Sequence, residues 1–376
     1  MSAEPSRLRA VLDRLADRML DATVFERFAI ALLSTTLALL IGSIIVAATG
    51  YDAVAFVSSL VYGAVGNLSN VAFTLRQSTM LILTGVAVAV AFRAGVFNIG
   101  VQGQFVVGGF ATALTIIFLA PVLPGGAGGG VLLMVLGTLT AIAVGGAYAT
   151  LPGLMKAYAD ANEVITTIML NFIASGVVYF LIDAYLRPAG TSAPNTESFP
   201  SYIGLPGFVF GSGSFSVIGL GVALLTAVGV YVVMARTRFG YDLVTSGYQQ
   251  RAADYSGVNS NRTIITTMTF SGMVAGLAGA IFAIMILGYY SDPSTFPTFG
   301  FDAIAVSLLA ANNPLGVIPA GILFGALDAG GQYIGFTLDV PAELVDGVIG
   351  LIVLFVAAPE LFRMSARRVG LGRDDE

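Results

Sequence analysis

Amide side chains interrupt stretches of sequence that are otherwise apolar. Asn98, Gln102 and Gln104 form one cluster, and Asn312 and Asn313 form another. An amide offers both a donor and an acceptor, which suits recognition of a neutral solute that bears hydroxyl groups. The same groups suit the backbone of a broken helix, whose freed N–H and C=O groups need partners. The sequence leaves both interpretations open.

Four further polar residues occur in or beside apolar segments. Thr167 and Asn171 follow Glu163 at positions i+4 and i+8, so all three share one helix face and predict either a polar path or hydrogen bonds to a neighbouring helix. Asp302 lies within an apolar segment, where an ionised side chain costs roughly 2.5–3.5 kcal/mol at a helix centre. It is therefore either a functional group or the cap of a short helix.

Catalytic and metal-binding chemistry is disfavoured by the residues that are missing. The chain has no cysteine and no histidine, which zinc sites, haem sites and Ser-His or Cys-His catalysis require. It has no Gly-x-x-x-x-Gly-Lys-Ser/Thr phosphate loop, and its only lysine, Lys156, lies in another context. We therefore predict that the chain is not an enzyme and binds no cofactor itself.

The composition is that of an integral membrane protein. Of 376 residues, 56% are hydrophobic and 10% are charged, with a mean hydropathy of +0.88. Soluble domains carry about 25% charged residues, so a soluble enzyme, a disordered protein and a nucleic-acid binder are excluded. The low lysine content, with one lysine against 22 acidic residues, resembles the composition of proteins from salt-adapted organisms.

A bilayer core is crossed by about 20 apolar residues in a helix. The sequence accordingly predicts an all-α membrane protein, a polytopic bundle of about ten transmembrane helices. Residues 52–69 are too interrupted by small and polar residues to predict a span. The predicted spans are 28–50, 71–92, 101–120, 131–151, 164–186, 215–235, 263–287, 301–311, 317–336 and 344–362.

Basic residues give the orientation and the domain limits. With the N-terminus in the cytoplasm, all 17 basic residues except Arg76 and Arg187 fall on the cytoplasmic side. Both termini are thus predicted to be cytoplasmic. The predicted organisation is an amphipathic segment (1–27), a transmembrane domain (28–362) with a cytoplasmic loop (236–262), and a cytoplasmic tail (363–376).

Two spans contain breaks. Glycines and amides follow Arg93, and the eighth span stops at Asn312-Asn313-Pro314-Leu315-Gly316. Backbone that leaves a helix at membrane depth must face protein or water, and broken helices in both halves of a chain indicate a transport pathway. The residues predicted to line it are Asn98, Gln102, Gln104, Thr167, Asn171, Asp302, Asn312 and Asn313.

Other patterns predict packing and membrane contacts. Gly272, Gly276 and Ala280 are spaced for close helix packing. In the cytoplasmic loop, a short helix between Gly247 and Gly257 is predicted to offer a small-residue face to another protein. An aromatic belt at the outer membrane surface is predicted at Tyr289, Tyr290, Phe296 and Phe299.

Six segments resemble the permease subunits of ABC importers, in the branch that includes simple-sugar, nucleoside and branched-chain amino acid permeases. One departure is Gln102-Gly103-Gln104, where sugar and nucleoside permeases typically have Glu-Gly-Gln. The six segments are Ala91–Gly100, Asn162–Asn171, Ala252–Gly257, Ser271–Gly279, Gly300–Val306 and Asn313–Gly316.

The resemblance implies a set of partners in a prokaryotic plasma membrane. Separate subunits would bind ATP and magnesium at the cytoplasmic face. A second, different permease chain would complete the pathway, and a lipid-anchored or periplasmic-type binding protein would deliver the solute from outside. The residues that would contact the ATP-binding subunits are Gly247, Gln250, Ala252, Ala253, Asp254, Tyr255 and Gly257.

Import of a small neutral polar nutrient is the function that these observations predict. The pathway has no well-placed charge, and desolvating a charged solute without a counter-ion is costly. A simple sugar such as glucose is favoured, with a nucleoside as the alternative. An ion-coupled secondary transporter is the alternative of another class, and it would use Asp302 as the coupling carboxylate. A membrane-embedded enzyme is disfavoured, since no nucleophile-base set is present.

Overall fold

The computed structural model describes residues 24–207 and 215–369, without the side chains of 24–33, 35, 250–252 and 356–369. Most of the predicted 1–27 segment, the end of the tail and the side chains of Gln250 and Ala252 therefore lie outside the described residues. Within them the fold is helical, with no β-strand. The helices are α1 (Val24–Ala48), α2 (Ala53–Val65), α3 (Leu68–Arg93), α4 (Val101–Leu119), α5 (Ala127–Ala159), α6 (Glu163–Leu181), α7 (Val217–Arg236), α8 (Arg238–Tyr248), α9 (Gln250–Tyr255), α10 (Ser260–Ile281), α11 (Phe299–Leu309), α12 (Val317–Thr337) and α13 (Ala342–Val369).

Every predicted span coincides with a helix, so the all-helical fold class is confirmed. Seven helices of the described part are long and apolar enough to cross a membrane: α3 to α7, α10 and α12, with π-helical turns extending α6 and α10. The count of ten and the location of the termini stay predictions. Residues 52–69, where no span was predicted, contain helix α2, which Asp52 caps by accepting hydrogen bonds from the N–H groups of Val54 and Ala55 at 2.9 and 3.0 Å.

The described chain divides into two units, of which the larger is Asn67–Ala326. Helices α5 and α10 form its centre, and glycine lets their backbones touch. A β-carbon on Gly272 would collide with the Gly145 carbonyl oxygen, and one on Gly276 would collide with that of Ala141. Close backbone approach through small residues is typical of membrane helices. The predicted packing role of this glycine stripe is confirmed.

The predicted aromatic belt is wrong for three of its four residues. Tyr290, Phe296 and Phe299 are buried, and only Tyr289 is partly exposed. The Tyr290 hydroxyl donates to the Val106 carbonyl oxygen at 2.7 Å, and its ring lies 5.1 Å from that of Phe296. A tyrosine beside the end of an apolar helix has the sequence pattern of a belt residue. Here the chain after α10 folds back into the unit, which local sequence does not reveal.

The smaller unit combines residues 24–66 with 327–369. Gly63 lies against the Tyr333 side chain, and Gly330 against the Leu60 backbone. The rings of Tyr62 and Tyr333 are 5.4 Å apart. Small residues in both α2 and the second half of α12 thus allow close packing within this unit.

Candidate functional site

The first break, residues 94–100, connects α3 to α4. At the end of α3 the Val96 N–H donates to the Ala91 carbonyl at 3.1 Å, and the Gly95 N–H donates to that of Phe92. Gly95 has φ +70°, the left-handed conformation that closes such a helix end and that glycine adopts without steric cost. Gly95 therefore suits the backbone conformation of this turn.

Asn98 lies at the centre of this break and is fully buried. Its Nδ2 donates to Gln104 Oε1 at 2.9 Å and to Ser271 Oγ at 2.8 Å, while its Oδ1 accepts from Gln104 Nε2 at 2.9 Å. Oδ1 also accepts from the Gly100 N–H, and Ser271 Oγ donates to the Ala87 carbonyl. The two amides therefore bond each other reciprocally and tie the break to α3 and α10.

Asn171, in α6, also forms hydrogen bonds with the backbone around the first break. Its Oδ1 accepts from the Gly103 N–H at 2.7 Å, and its Nδ2 donates to the Ile99 carbonyl at 2.9 Å. Thr167, on the same face, is buried, with its hydroxyl bonded to the Glu163 carbonyl. The Glu163 carboxylate ion-pairs with Lys156 at 3.1 Å, which places this end of the predicted polar face at the α5–α6 connection.

Gln102 connects the first turn of α4 to the start of α11. Its Oε1 accepts from the Gly300 N–H at 2.7 Å, and its Nε2 donates to the Pro297 carbonyl at 3.2 Å. A β-carbon on Gly300 would collide with the Gln102 backbone nitrogen. Gln102 thus satisfies a free N–H group at the N-terminus of α11.

The second break, residues 310–316, connects α11 to α12. Ala311 and Asn312 have φ of +50° and +56°, which is uncommon for residues other than glycine. Asn312 Oδ1 accepts from the Ser307 hydroxyl at 3.0 Å, and Asn313 Oδ1 accepts from the Leu315 N–H at 3.0 Å. Both amides make local contacts, in contrast to Asn98 and Asn171.

The two breaks repeat one backbone pattern. The Val96-to-Ala91 bond has its counterpart in Asn312 to Ser307, at 2.8 Å. The bonds of Gly95 to Phe92 and Gln104 to Gly100 recur as Ala311 to Leu308 and Ala320 to Gly316, each displaced by the same number of positions. Both breaks are seven residues long and precede a helix that starts at valine. The two breaks thus share these three backbone hydrogen bonds, although Asn312 has a positive φ and its counterpart Val96 does not.

The loop 236–262, which is predicted to be cytoplasmic, contains α8 and α9, of which only a helix near α9 was predicted. Thr237 caps α8 by accepting from the Gly240 N–H at 3.2 Å, and Leu243 faces inward. Gly247, near its end, lies against the turn at the end of α3: a β-carbon there would collide with the Arg93 carbonyl oxygen and lie 2.9 Å from the Ala94 carbonyl carbon. The loop therefore touches the first break directly.

Helix α9 and the turn after it expose part of the predicted surface. Ala253 is 0% exposed and faces the chain, whereas Asp254, Tyr255 and Gly257 are exposed. Tyr255 is 95% exposed, and Tyr248, which was not predicted, is 86% exposed. Asp254 Oδ1 accepts from the Ser260 N–H at 3.0 Å, which ties α9 to α10. This hydrogen bond from the Ser260 backbone, with a second from its side chain, lowers the pKa of the Asp254 carboxyl.

Comparison with known proteins identifies the family. The family described as the permease component of branched-chain amino acid transport systems matches residues 70–357. The chain belongs to this family of ABC transporter permeases. A guanosine ABC transporter permease of Bacillus subtilis is 35% identical over 89% of this chain and 94% of its own length. No solved structure matches the chain.

Two other relatives carry different solute names. A nucleoside ABC transporter permease of Lactococcus lactis is 29% identical over 87% of this permease and 90% of its own length. A glucose ABC transporter permease of Haloferax volcanii is 31% identical over 80% of this permease and 78% of its own. The permease family and the apolar helices make the chain a multi-pass membrane protein.

The eight predicted pathway residues of this permease fall into two groups. Asn98, Gln102, Gln104, Thr167 and Asn171 are buried and hydrogen-bonded to other groups of the chain. Asp302 and Asn313 are exposed and Asn312 is half-buried. The sequence marks all eight as polar residues in apolar surroundings, and only the fold separates the two groups.

Proposed function

We propose that this chain is one of two membrane-spanning subunits of an ATP-driven importer for a nucleoside. The pair of matching helix breaks carries the proposal, together with the 35% identity to a guanosine permease along nearly the full chain. Broken helices at corresponding places in two halves are where transporters bind solutes. A separate ATP-hydrolysing subunit supplies the energy.

We place the solute path beside the second break and α11. Asp302, on the exposed side of α11, accepts from the Thr298 hydroxyl at 3.2 Å, and the adjacent break exposes Asn313. Exposed polar groups in a membrane protein face water or protein, because hydrocarbon cannot solvate them. Amides that make only local bonds can exchange those bonds for the hydroxyl and ring groups of a neutral solute.

Glucose is the second candidate solute. The glucose permease of Haloferax volcanii is 31% identical, and the low lysine content of this chain resembles salt-adapted proteins. A nucleoside remains first because relatives named for nucleosides cover more of the chain. Both solutes are neutral and hydroxyl-rich, as the polar groups beside the second break require.

The cytoplasmic loop is the docking surface for the ATP-binding subunits in this proposal. Tyr248 and Tyr255 form it, each more than four-fifths exposed on a segment that is otherwise polar. Exposed tyrosines at such positions are typical anchors of protein interfaces. The second membrane subunit is a different chain in this proposal, since Bacillus subtilis and Lactococcus lactis each have a second matching permease named for the same solute.

Reconstitution tests this function. The permease, its partner permease, the ATP-binding subunits and the binding protein are assembled in proteoliposomes, and uptake of labelled guanosine and glucose is measured with and without ATP. ATP-dependent uptake of guanosine supports the proposal. Uptake of glucose but not of guanosine supports glucose as the solute. Accumulation of solute by the membrane subunits under an ion gradient without ATP contradicts ATP-driven transport.

Docking is tested with tyrosine variants in the same assembly. Tyr248→Ala with Tyr255→Ala is expected to weaken co-purification of the ATP-binding subunits by about tenfold or more, since a buried aromatic anchor contributes roughly 2 kcal/mol to an interface. Tyr185→Ala is the matched control, because Tyr185 is 73% exposed but lies in the π-helical turn that extends α6. Unchanged co-purification of the double variant would place the docking surface elsewhere.

A further inference from the structure

The contact between Gly247 and the end of α3 is much closer than helix packing normally allows. A β-carbon at position 247 would collide with the Arg93 carbonyl oxygen and come within 3.1 Å of the Ala94 Cα atom. From the other side, a β-carbon on Gly95 would lie 3.1 Å from the Gly247 carbonyl oxygen. Two backbones therefore meet with no side chain between them. A displacement of α8 towards α3 at this point must move the turn, because no flexible side chain can absorb it.

The far side of that turn is held firmly. Three residues beyond Gly95, Asn98 bonds to Gln104 in α4 and to Ser271 in α10. Ser271 in turn bonds back to α3 through the Ala87 carbonyl at 2.6 Å. A displacement of the turn is therefore passed to the first turn of α4, where Gln102 accepts a hydrogen bond from the Gly300 N–H at the N-terminus of α11. Helix α11 carries Asp302 and leads into the second break.

The loop is also tied to α10 by side-chain contacts. Asp254 bonds the Ser260 N–H at the start of α10, and the rings of Phe239 and Phe270 join α8 to α10 at 5.6 Å. Ser271, in the same helix as Phe270, is the residue that bonds Asn98. Both helices of the docking loop (residues 236–262) are thus connected to Asn98. Helix α8 is connected through Gly247, and α9 is connected through α10.

We propose that the backbone contact of Gly247 with the Arg93–Gly95 turn transmits motion of the docking loop to the helix breaks, and that Gly247 is a positioning residue for transport. The inference rests on the proposed function, since it requires ATP-binding subunits at the loop. Gly247 touches no solute. It acts through Asn98 and Gln102, which set the position of α11.

Gly247→Ala tests the proposal in the complete reconstituted complex. The added methyl group displaces α8 from the turn, while Gly247 itself has no left-handed backbone conformation that alanine would strain. The measured quantity is the amount of solute imported per ATP hydrolysed, which we expect to fall on the order of tenfold, as for loss of a coupling free energy of typical size. Gly229→Ala in α7 is the control, because its β-carbon meets nothing within 4 Å.

The outcomes separate this inference from the proposed function. If the unmodified complex neither assembles nor transports, the proposed function fails. If the unmodified complex transports and Gly247→Ala imports as much solute per ATP as Gly229→Ala does, the transmission role of Gly247 is wrong. Loss of uptake accompanied by equal loss of ATP hydrolysis also contradicts it, because the amount of solute imported per ATP is then unchanged.

A distance measurement decides the question even if Gly247→Ala does not fold. The chain has no cysteine, so spin labels can be attached to Phe97→Cys in the first break, Tyr241→Cys in α8 and Leu139→Cys in α5, all at exposed positions. On nucleotide binding, the 139–241 distance is expected to change while the 97–241 distance stays constant, because α8 and the break move together. A change in the 97–241 distance as large as that in the 139–241 distance, or no change in either, would overturn the proposal.

Discussion

The two helix breaks share three backbone hydrogen bonds and differ in what holds their side chains. In the first break, Asn98 and Asn171 bond residues far away in the sequence, on α10 and across the break. In the second, Asn312 and Asn313 bond residues within five positions of themselves. The first break is therefore fixed by tertiary structure. The second is fixed by its own turn and has amide groups available for exchange.

The difference assigns separate tasks to two similar structures. A buried polar network that is fully satisfied stabilises one arrangement, because any rearrangement leaves polar groups unpaired in a low-dielectric environment. In our proposal the first break, which lies between the loop 236–262 and α11, transmits movement from one to the other. The second lies beside Asp302 and exposed Asn313, where a change of hydrogen-bond partner costs least.

Removal of the Asn98 amide should destabilise the first break more than any other single change. Asn98→Leu leaves the Gln104 amide and the Gly100 N–H without a buried partner and removes the donor to the Ser271 hydroxyl, which keeps its bond to the Ala87 carbonyl. We therefore expect a loss of roughly 2–5 kcal/mol of stability. Thermal unfolding in detergent measures it. Asn313→Leu is the matched control and should change stability by less than about 1 kcal/mol. Equal unfolding temperatures for the two variants would contradict the fixed first break.

A charge at position 102 tests the link between the first break and α11. Gln102→Glu restores the carboxylate typical of related permeases and keeps an acceptor for the Gly300 N–H, but it replaces the donor to the Pro297 carbonyl with a second acceptor. We expect a loss of about 1–3 kcal/mol at neutral pH from the unpaired carbonyl. Acidification should restore part of it, because a protonated carboxyl can donate again. Thermal unfolding that is independent of pH would show that this hydrogen bond is not needed.

Exchanging glycine and alanine between the breaks should shift stability in opposite directions. Gly95 and Ala311 are counterparts, and both have positive φ. Gly95→Ala should cost about 1 kcal/mol or more, since alanine is strained there and its methyl group approaches Gly247. Ala311→Gly should gain roughly 0.5–1 kcal/mol by removing that strain. Shifts of the same sign in the two unfolding temperatures would show that the turns are not equivalent.

The smallest expected effect is the pH dependence of the loop 236–262. The pKa of Asp254 is lowered by the hydrogen bond from the Ser260 N–H, so the ionised form stabilises the folded loop. That contribution is present above the ordinary pKa of an aspartate and is lost as pH falls through the lowered value. Hydrogen exchange of α9 should therefore quicken on acidification once the intrinsic pH effect is corrected for. In Asp254→Asn the corrected rate should not vary with pH.

The sequence predicts both breaks for a physical reason. Glycine, asparagine and proline within membrane-grade apolar sequence are costly unless the backbone leaves the helix there, and residues 94–100 and 310–316 do so. Apolar runs long enough to cross a bilayer likewise predict the spans. These signals are local, and local signals suffice for helices.

Partners of polar side chains are not encoded locally. Asn98 and Asn313 are both amides beside a break, yet one is bonded to Ser271 and the other exposed, and only the packing of α10 decides this. Helix α8 was missed because Arg238–Tyr248 mixes polar and aromatic residues without a long apolar run. Tyr255 was predicted at the loop interface, but the burial of Ala253 beside it depends on tertiary contacts.

Solute protection of single cysteines tests the central claim that the solute passes the second break while the first is structural. Asn313→Cys places a single thiol beside the second break, and Thr167→Cys places a single thiol beside the first. A membrane-impermeant maleimide reports the accessibility of each thiol in the assembled complex. We predict that the thiol at 313 reacts and that saturating guanosine or glucose slows its labelling, whereas the thiol at 167 does not react. Labelling and solute protection at 167, with neither at 313, would contradict the account.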